Sequence, residues 1–264
     1  MDASNLNIDL ESIANWAKLN HININFDKLE LLRISRSRSK IDFQYKLNDT
    51  YIYPRQEVRD LGVYYDQDFS FHYYIDYCTN KAFRTLGFIM RTTRDFSDAN
   101  CIVYLFKTLV LPTLTYCSPI WSPYRDNQMK KLESVQHKFM RYLAYKNGTP
   151  LSPIDHNYHQ ISVSFNLPTI KSLHKVNDFI FAWKIDKNLI NSDVLSKMFL
   201  ERKVPNNIRS IRPLKEDILS KDYTYNNTLP RLKRLWNSLD PHLKEIRELS
   251  HFKTAIKKSY LSYY

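Results

Sequence analysis

The first seventy residues combine one helical period with several short runs of alternating polarity. A first helix, capped by Ser4 or Asp9 and ending near Asn20, is predicted from a stripe of apolar residues: Leu10, Ile13, Ala14 and Ala17. Residues 22–26 alternate between apolar and polar, which predicts a short half-buried strand with residues 29–35 as its partner. Residues 41–45 and 50–53 flank Leu47-Asn48-Asp49, which predicts a hairpin.

Past Asp66 the apolar residues follow the helical period instead. One predicted helix buries Phe71, Ile75, Cys78, Ala82, Leu86 and Ile89, and gathers on its other face Tyr73, Tyr77, Lys81, Arg84 and Arg91. A second begins at Ser97 or Asp98 and is stopped at Leu111 by Pro112. A third, over residues 126–142, is the clearest amphipathic element of the chain. Its polar face carries Lys130, Lys131, Ser134, Lys138, Arg141 and Tyr145.

Gly148-Thr149-Pro150 and Ser152-Pro153 interrupt this pattern and mark a predicted boundary. Further helices are predicted over residues 170–183, 192–199, 229–239 and 250–260. The basic stretch 202–225 is either a mobile linker or a loop that contacts nucleic acid. The pattern therefore predicts an α+β fold, with a small antiparallel region over residues 1–69 followed by helical regions over 70–149 and 150–264.

The charge narrows the range of partners. The 264 residues carry a formal net charge of +12, which favours an anionic partner, most often nucleic acid. The other explanation is compositional bias, because the chain is rich in Asn, Lys, Ile and Tyr, as an AT-rich genome favours. Only three glycines occur, and this scarcity argues against glycine-rich phosphate loops.

The cysteines and the N-terminal residues indicate a cellular setting. Three widely spaced cysteines form no Cys-x-x-Cys pair, so a structural zinc site is not expected, and the count fits a reducing compartment. Residues 1–10 are polar and acidic, and no apolar run is long enough to span a bilayer. We therefore expect an intracellular protein of the nucleus or cytoplasm, without a signal peptide or membrane segment.

Two groups of residues are candidates for a metal site or a catalytic site, but the sequence does not favour such a site at either group. Asp66 and Asp68, with Asp60 upstream, could bind a metal, but acids between a strand and a helix commonly serve as turn and cap residues. Cys117, Asp155, His156 and His159 could be imagined as a nucleophile with its base, or the two histidines as a metal pair. No spacing in the sequence brings these groups together.

Three blocks of residues, taken in order, resemble a known family. The first is Trp16 through Lys28, with Asn20 and Asn25. The second is Asp60-Leu61-Gly62-Val63 with Asp66. The third joins 81–87, 114–123 and 132–141, including Leu132-Glu133-Ser134-Val135-Gln136. Over residues 5 to 150, their order and spacing are similar to the end of the reverse transcriptase of jockey-like non-long-terminal-repeat retrotransposons.

The resemblance implies a polymerase part without its catalytic centre. Residues 1–69 would be the end of the palm after the catalytic turn, 70–149 a helical thumb, and 150–264 a helical C-terminal region. The family enzyme uses magnesium held by aspartates, one of them on a strand and others in a Tyr/Phe-Ala-Asp-Asp turn. Neither motif occurs in this chain. No catalytic residue, metal site or cofactor is therefore expected in it, and alone it would be inactive.

The resemblance also assigns binding roles to particular residues. Lys28 matches the family lysine near the phosphates of the incoming nucleotide, where an ammonium can neutralise departing pyrophosphate. Gly62 would let the backbone approach a primer terminus. The duplex backbone of RNA or an RNA–DNA hybrid would be followed by Lys81, Arg84, Lys130, Lys131, Lys138 and Arg141.

Two other interpretations stay open. The chain could be a non-catalytic helical interaction protein, or a decayed element product with no nucleic-acid role. It could also be part of a longer, working polymerase. In the polymerase interpretation the central strands of the sheet come from residues outside this sequence, so an unpaired sheet edge would favour self-association.

Overall fold

The computed structural model describes residues 2–35, 43–48, 50–148, 158–200, 214–215 and 222–264. The fold is α+β, as predicted: short strands lie between residues 31 and 66, and the remainder of the described chain is mainly helical. The chain forms two compact units, Met1–Tyr74 and Ile75–Tyr264.

The first unit consists of helix α1 (Asp2–Leu19), a 3-10 turn (Phe26–Lys28) and three strand pairs. The strands are β1 (Leu31–Leu32), β2 (Tyr45–Leu47), β3 (Thr50–Ile52), β4 (Pro54–Arg55), β5 (Glu57–Asp60) and β6 (Val63–Asp66). The antiparallel pairs β2–β3 and β5–β6 are hairpins, and β1 pairs with β4 in parallel. A hairpin around Asn48 is thereby confirmed, but its first strand is Tyr45–Leu47 rather than residues 41–45, of which 41 and 42 lie outside the described residues.

The strand predicted over residues 22–26 is wrong. The side chain of Asn25 accepts a hydrogen bond from the backbone of Asp27 at 2.9 Å and starts the 3-10 turn at Phe26–Lys28. An Asn side chain that bonds its own backbone competes in this way with a strand ladder. The expected partner segment forms its short strand with β4 instead, at Leu31↔Pro54.

Helix α1 buries less of its apolar surface than its sequence predicts. Ala14 and Ala17 are buried, but Ile13 is exposed and Trp16 retains 58% of its accessible surface. The apolar residues of α1 are spread around more than one face, and only the alanine side is covered by the described residues of this unit. The single buried stripe predicted here is therefore correct only in part.

The β5–β6 hairpin turns on two residues in the left-handed region. Leu61 has φ 46° and Gly62 has φ 87°, and the register pairs Asp60 with Val63. A two-residue loop with both φ values positive matches the right-handed twist of the flanking strands. Gly62 thus lies in the turn of a hairpin.

The second unit is helical. Its elements begin with α2 (His72–Thr92), whose first three residues belong to the first unit. They continue with α3 (Ala99–Leu105), a π turn (Phe106–Val110), α4 (Leu111–Thr115), α5 (Ser118–Trp121), α6 (Asp126–Lys146) and α7 (His159–Ser164). The rest are α8 (Ile170–Asp186), α9 (Asp193–Leu200), α10 (Asp222–Tyr225), α11 (Thr228–Ser238), α12 (Pro241–Glu245) and α13 (Leu249–Tyr260).

The predicted stop at Pro112 is wrong, although Asp98 caps α3 as predicted. The chain continues from α3 through the π turn into α4, and Pro112 occupies the first turn of α4. The Leu111 amide bonds to the Phe106 carbonyl, five residues back. The wider turn separates Pro112 from the preceding helix, so its missing N–H falls where a first helical turn needs none.

The core of the C-terminal helices is aromatic. Trp183 of α8 packs against Phe252 of α13, with ring centroids 5.4 Å apart, and Trp236 of α11 contacts Phe199 and Phe252. These helices belong to the same compact unit as α2 and α6.

The boundary predicted at residue 149, and most of the basic stretch 202–225, lie outside the described residues. No described helix is both long and apolar enough to cross a membrane.

Candidate nucleic-acid interface

Helix α6 has one buried and one basic face, as its sequence predicts. Leu132, Val135, Phe139 and Leu143 are fully buried, and the Phe139 ring stacks on Phe106 at 4.0 Å. The opposite face is exposed at Lys130, Lys131, Lys138, Arg141 and Tyr145. Because apolar packing fixes the rotation of α6, the basic side chains are held on the solvent side.

Helix α2 has the same arrangement. Ile75, Ala82, Leu86 and Ile89 are buried in the second unit. The exposed residues of this helix within the same unit include Lys81, Arg84, Phe88 and Arg91. The lysine and arginine positions predicted for this face are therefore confirmed as exposed. Phe88, which was not among the residues predicted for this face, is exposed on it as well.

The two helices run side by side in the same direction. Lys131 Nζ lies 2.7 Å from Asp76 Oδ1, and Lys138 Nζ lies 5.5 Å from the centroid of the Phe83 ring. Further along, Tyr142 bonds to Thr93, with 3.0 Å between the two hydroxyl oxygens. The contacts advance together along both helices, so the helices are parallel.

These contacts join the exposed faces of the two helices along their length. We call the result the two-helix surface, and it comprises Lys81, Arg84, Phe88 and Arg91 of α2 with Lys130, Lys131, Lys138, Arg141 and Tyr145 of α6. Six of the eight residues predicted to bind nucleic acid belong to it. The sequence predicted each face separately, but it contained no signal that the two faces adjoin.

Within the described part of the chain, the ion pair found on the two-helix surface is that of Lys131 with Asp76. The Lys131–Asp76 pair is exposed on both sides, and such a pair contributes little and exchanges readily for another anion. Arg141 Nη1 donates to the neutral hydroxyl of Tyr158 at 3.0 Å, and the Tyr158 ring stacks on His137. A neutral partner orients the guanidinium without cancelling its charge. The surface can therefore bind a polyanion.

The two other predicted binding residues belong to the first unit. Lys28 is exposed at the end of the 3-10 turn. Gly62 lies in the β5–β6 turn, where the positive φ and the missing side chain permit close backbone approach. The two-helix surface is built from residues of the second unit.

Asp66, one of the acids considered for a metal site, serves the local role of a turn residue, as predicted. Both carboxylate oxygens of Asp66 accept hydrogen bonds from Ser70, at 2.6 Å from its amide and 2.6 Å from its hydroxyl. The carboxylate thus closes the turn before α2. Among the described residues no group of three His, Cys, Asp or Glu side chains is placed to hold a metal ion.

A serine–histidine pair, in which only the histidine is buried, was not predicted from the sequence. Ser122 Oγ lies 2.9 Å from His174 Nδ1, and His174 Nε2 lies 2.8 Å from the Leu114 carbonyl oxygen. Burial lowers the pKa of His174 to about 4, so the ring is a poor general base at neutral pH. The pair fastens the end of α5 to α8. The partners are 52 residues apart, and no local pattern could have joined them.

Glu133 is a second buried titratable group. It lies on the buried side of α6, and its Oε1 accepts a hydrogen bond from the Lys171 amide at 3.0 Å, in the first turn of α8. Burial outweighs this bond and raises the pKa of Glu133 to about 7. Its Oε2 has no hydrogen-bond partner among the described residues.

The described residues thus provide an exposed cationic surface with aromatic members, and buried polar groups that tie helices together. Comparison with protein-family models, with curated proteins and with solved structures found no match to this chain. The candidate site is therefore defined by its own geometry and charge.

Proposed function

We propose that this chain is the nucleic-acid-binding part of a retrotransposon-type RNA-directed DNA polymerase, and that it holds RNA or an RNA–DNA hybrid along the two-helix surface. The supporting observation is the parallel pairing of α2 and α6, which joins two exposed basic faces within one compact unit. The contacts at Asp76–Lys131 and Phe83–Lys138 mark where these faces adjoin.

Phosphate is the group that such a surface fits. Lysine and arginine side chains spaced over successive turns of two helices can each meet a phosphate of a regular backbone. Contacts of this kind supply affinity without reading the sequence of the bases. The expected ligand is therefore defined by its backbone, as a polymerase that copies any template requires.

The proposed role does not include catalysis by this chain alone. Two-metal polymerase chemistry needs clustered carboxylates, and the sequence contains no pair of adjacent aspartates. Asp66, the nearest candidate, is engaged by Ser70. Magnesium would belong to a catalytic centre supplied by other residues.

The test is binding of the purified chain to a fluorescent RNA–DNA hybrid at several salt concentrations, with primer extension on the same samples. We expect steeply salt-dependent binding and no extension. Replacing Lys81 and Lys138 by Gln should weaken binding and lower the slope of log K against log salt by about 2, roughly one for each lost phosphate contact. Replacing Lys257 and Lys258 of α13 by Gln removes the same charge from another helix. This control should change the slope much less.

A second candidate function is an interaction module with no nucleic-acid role. The exposed apolar residues of α1, among them Ile13, Trp16 and Leu19, favour it. The binding experiment separates the two proposals. Absence of binding at low salt contradicts nucleic-acid binding and leaves the interaction module, and extension of the primer contradicts the inactive assignment.

A further inference from the structure

Two large aromatic rings are exposed at one end of the two-helix surface. Phe88 retains 55% of its accessible surface and Tyr145 retains 73%. Phe88 lies in the last turns of α2, and Tyr145 is next to the last residue of α6. These ends are fastened together, because the Tyr142 hydroxyl donates to the carbonyl oxygens of Met90 and Thr93, both at 3.3 Å.

Each ring is flanked by cations on its own helix. Phe88 follows Arg84 by four residues and precedes Arg91 by three, so all three share one face. Tyr145 follows Arg141 by four residues in the same way. A ring with a guanidinium one turn away offers a stacking surface for a base and a partner for the phosphate attached to it. An apolar protein partner would offer no negative charge to pair with these cations.

We infer that Phe88 and Tyr145 form a stacking site for unpaired bases, so that the two-helix surface favours a hybrid that continues into a single strand. This inference rests on the proposed function and names its substrate class. In a duplex the faces of the bases are covered by their neighbours, whereas an unpaired base presents a free face to a ring. The basic residues earlier in the helices would hold the paired part of the ligand.

The experiment compares two fluorescent hybrids of equal paired length, one blunt and one with a four-nucleotide unpaired extension, at one salt concentration. The wild-type chain should bind the extended hybrid about tenfold more tightly. Phe88→Ala and Tyr145→Ala should each lose most of this gain, so that their affinity for the extended hybrid falls several-fold more than their affinity for the blunt hybrid. Tyr145→Phe keeps the ring and should keep the gain.

Controls distinguish stacking from general damage. Tyr104 of α3 is 68% exposed, and Tyr104→Ala should bind both hybrids as the wild type does. A 2-aminopurine base in the extension should be quenched by the wild-type chain and not by the Phe88→Ala, Tyr145→Ala double variant. Circular dichroism establishes that each variant is folded before its affinity is compared.

The outcomes separate this inference from the proposed function. Equal affinity for the two hybrids, or equal weakening of both by the alanine variants, overturns the stacking site while nucleic-acid binding stands. No binding to either hybrid at low salt overturns both. A tenfold preference that disappears with the rings supports the site.

Discussion

Glu133 and His174 are buried in the same unit, and burial moves their pKa values in opposite directions. The pKa of Glu133 rises from 4.5 to about 7, and that of His174 falls from 6.5 to about 4. The folded state therefore keeps a proton on Glu133 that the unfolded state releases, and stability falls as pH rises from 4.5 to 7. The folded state keeps His174 neutral at pH values where the unfolded state binds a proton, so the free energy of unfolding falls as pH drops from 6.5 to 4. The two contributions oppose each other over nearly the same range.

Glu133→Gln should remove the contribution of Glu133 to the pH dependence of stability and leave that of His174. Glutamine keeps an oxygen to accept from the Lys171 amide but does not titrate. The stability of the variant relative to the wild type should therefore rise by about 2 kcal/mol between pH 5 and pH 7. Urea denaturation at several pH values measures it. The matched control is Glu245→Gln, since Glu245 is exposed on α12, and parallel pH profiles for wild type and Glu133→Gln would contradict the buried assignment.

Among the elements, those with a sustained local period were predictable and those decided by a single competing contact were not. Helix α6 repeats its apolar spacing over six turns, so both its existence and its exposed face follow from sequence. The segment 22–26 carried the alternating pattern of a strand, but Asn25 bonded the backbone of Asp27 instead. Pro112 predicts the end of a helix, and no local pattern in the sequence indicates the π turn that precedes it.

The candidate site was predictable to the same extent. Each basic face follows from its own helix, because residues three and four apart share a side. The junction of the faces depends on contacts such as Thr93 with Tyr142, 49 residues apart. Ser122 and His174 are likewise distant in sequence. Pairings of this kind are tertiary, and one sequence carries no periodic signal for them.

Two substitutions in the β5–β6 turn should change the stability of the hairpin in opposite directions. Gly62 at φ 87° should lose stability when replaced by Ala, by about 1 kcal/mol, because a Cβ strains this conformation. Leu61→Asn places the preferred Asn-Gly pair in the turn and should protect the hairpin. Hydrogen exchange of the β5 and β6 amides measures both changes.

The control for this turn is Gly87→Ala in helix α2. A Cβ at Gly87 would meet only the flexible end of Arg91 at 3.4 Å, and alanine is the better helix former by about 1 kcal/mol. The same substitution should therefore stabilise α2. Destabilisation at both glycines would show that the effect has nothing to do with φ.

At the scale of the whole molecule, the exposed apolar surface of α1 should make the chain self-associate. Trp16 is exposed, and the two-stranded sheets of the same unit leave strand edges without a neighbour among the described residues. We expect the mean sedimentation coefficient to rise with concentration. Trp16→Lys should lower that rise, whereas Leu189→Lys, at an exposed leucine of the second unit, should not. A stable monomer at all concentrations would contradict this prediction.

The parallel course of α2 and α6 has an electrostatic consequence of its own. The peptide dipoles of two parallel helices point the same way and reinforce each other, and each helix ends in a partial charge of about half an electron at its carboxyl terminus. Those ends lie beside Phe88 and Tyr145, where Lys146 Nζ already bonds to the Arg94 carbonyl oxygen at 2.6 Å. The surface therefore has an electrical direction along its length: the helix dipoles place negative partial charge at the aromatic end, where Arg91 and Lys146 in the last turns offset it. A bound strand would have a preferred direction, even though nothing on the surface reads its sequence.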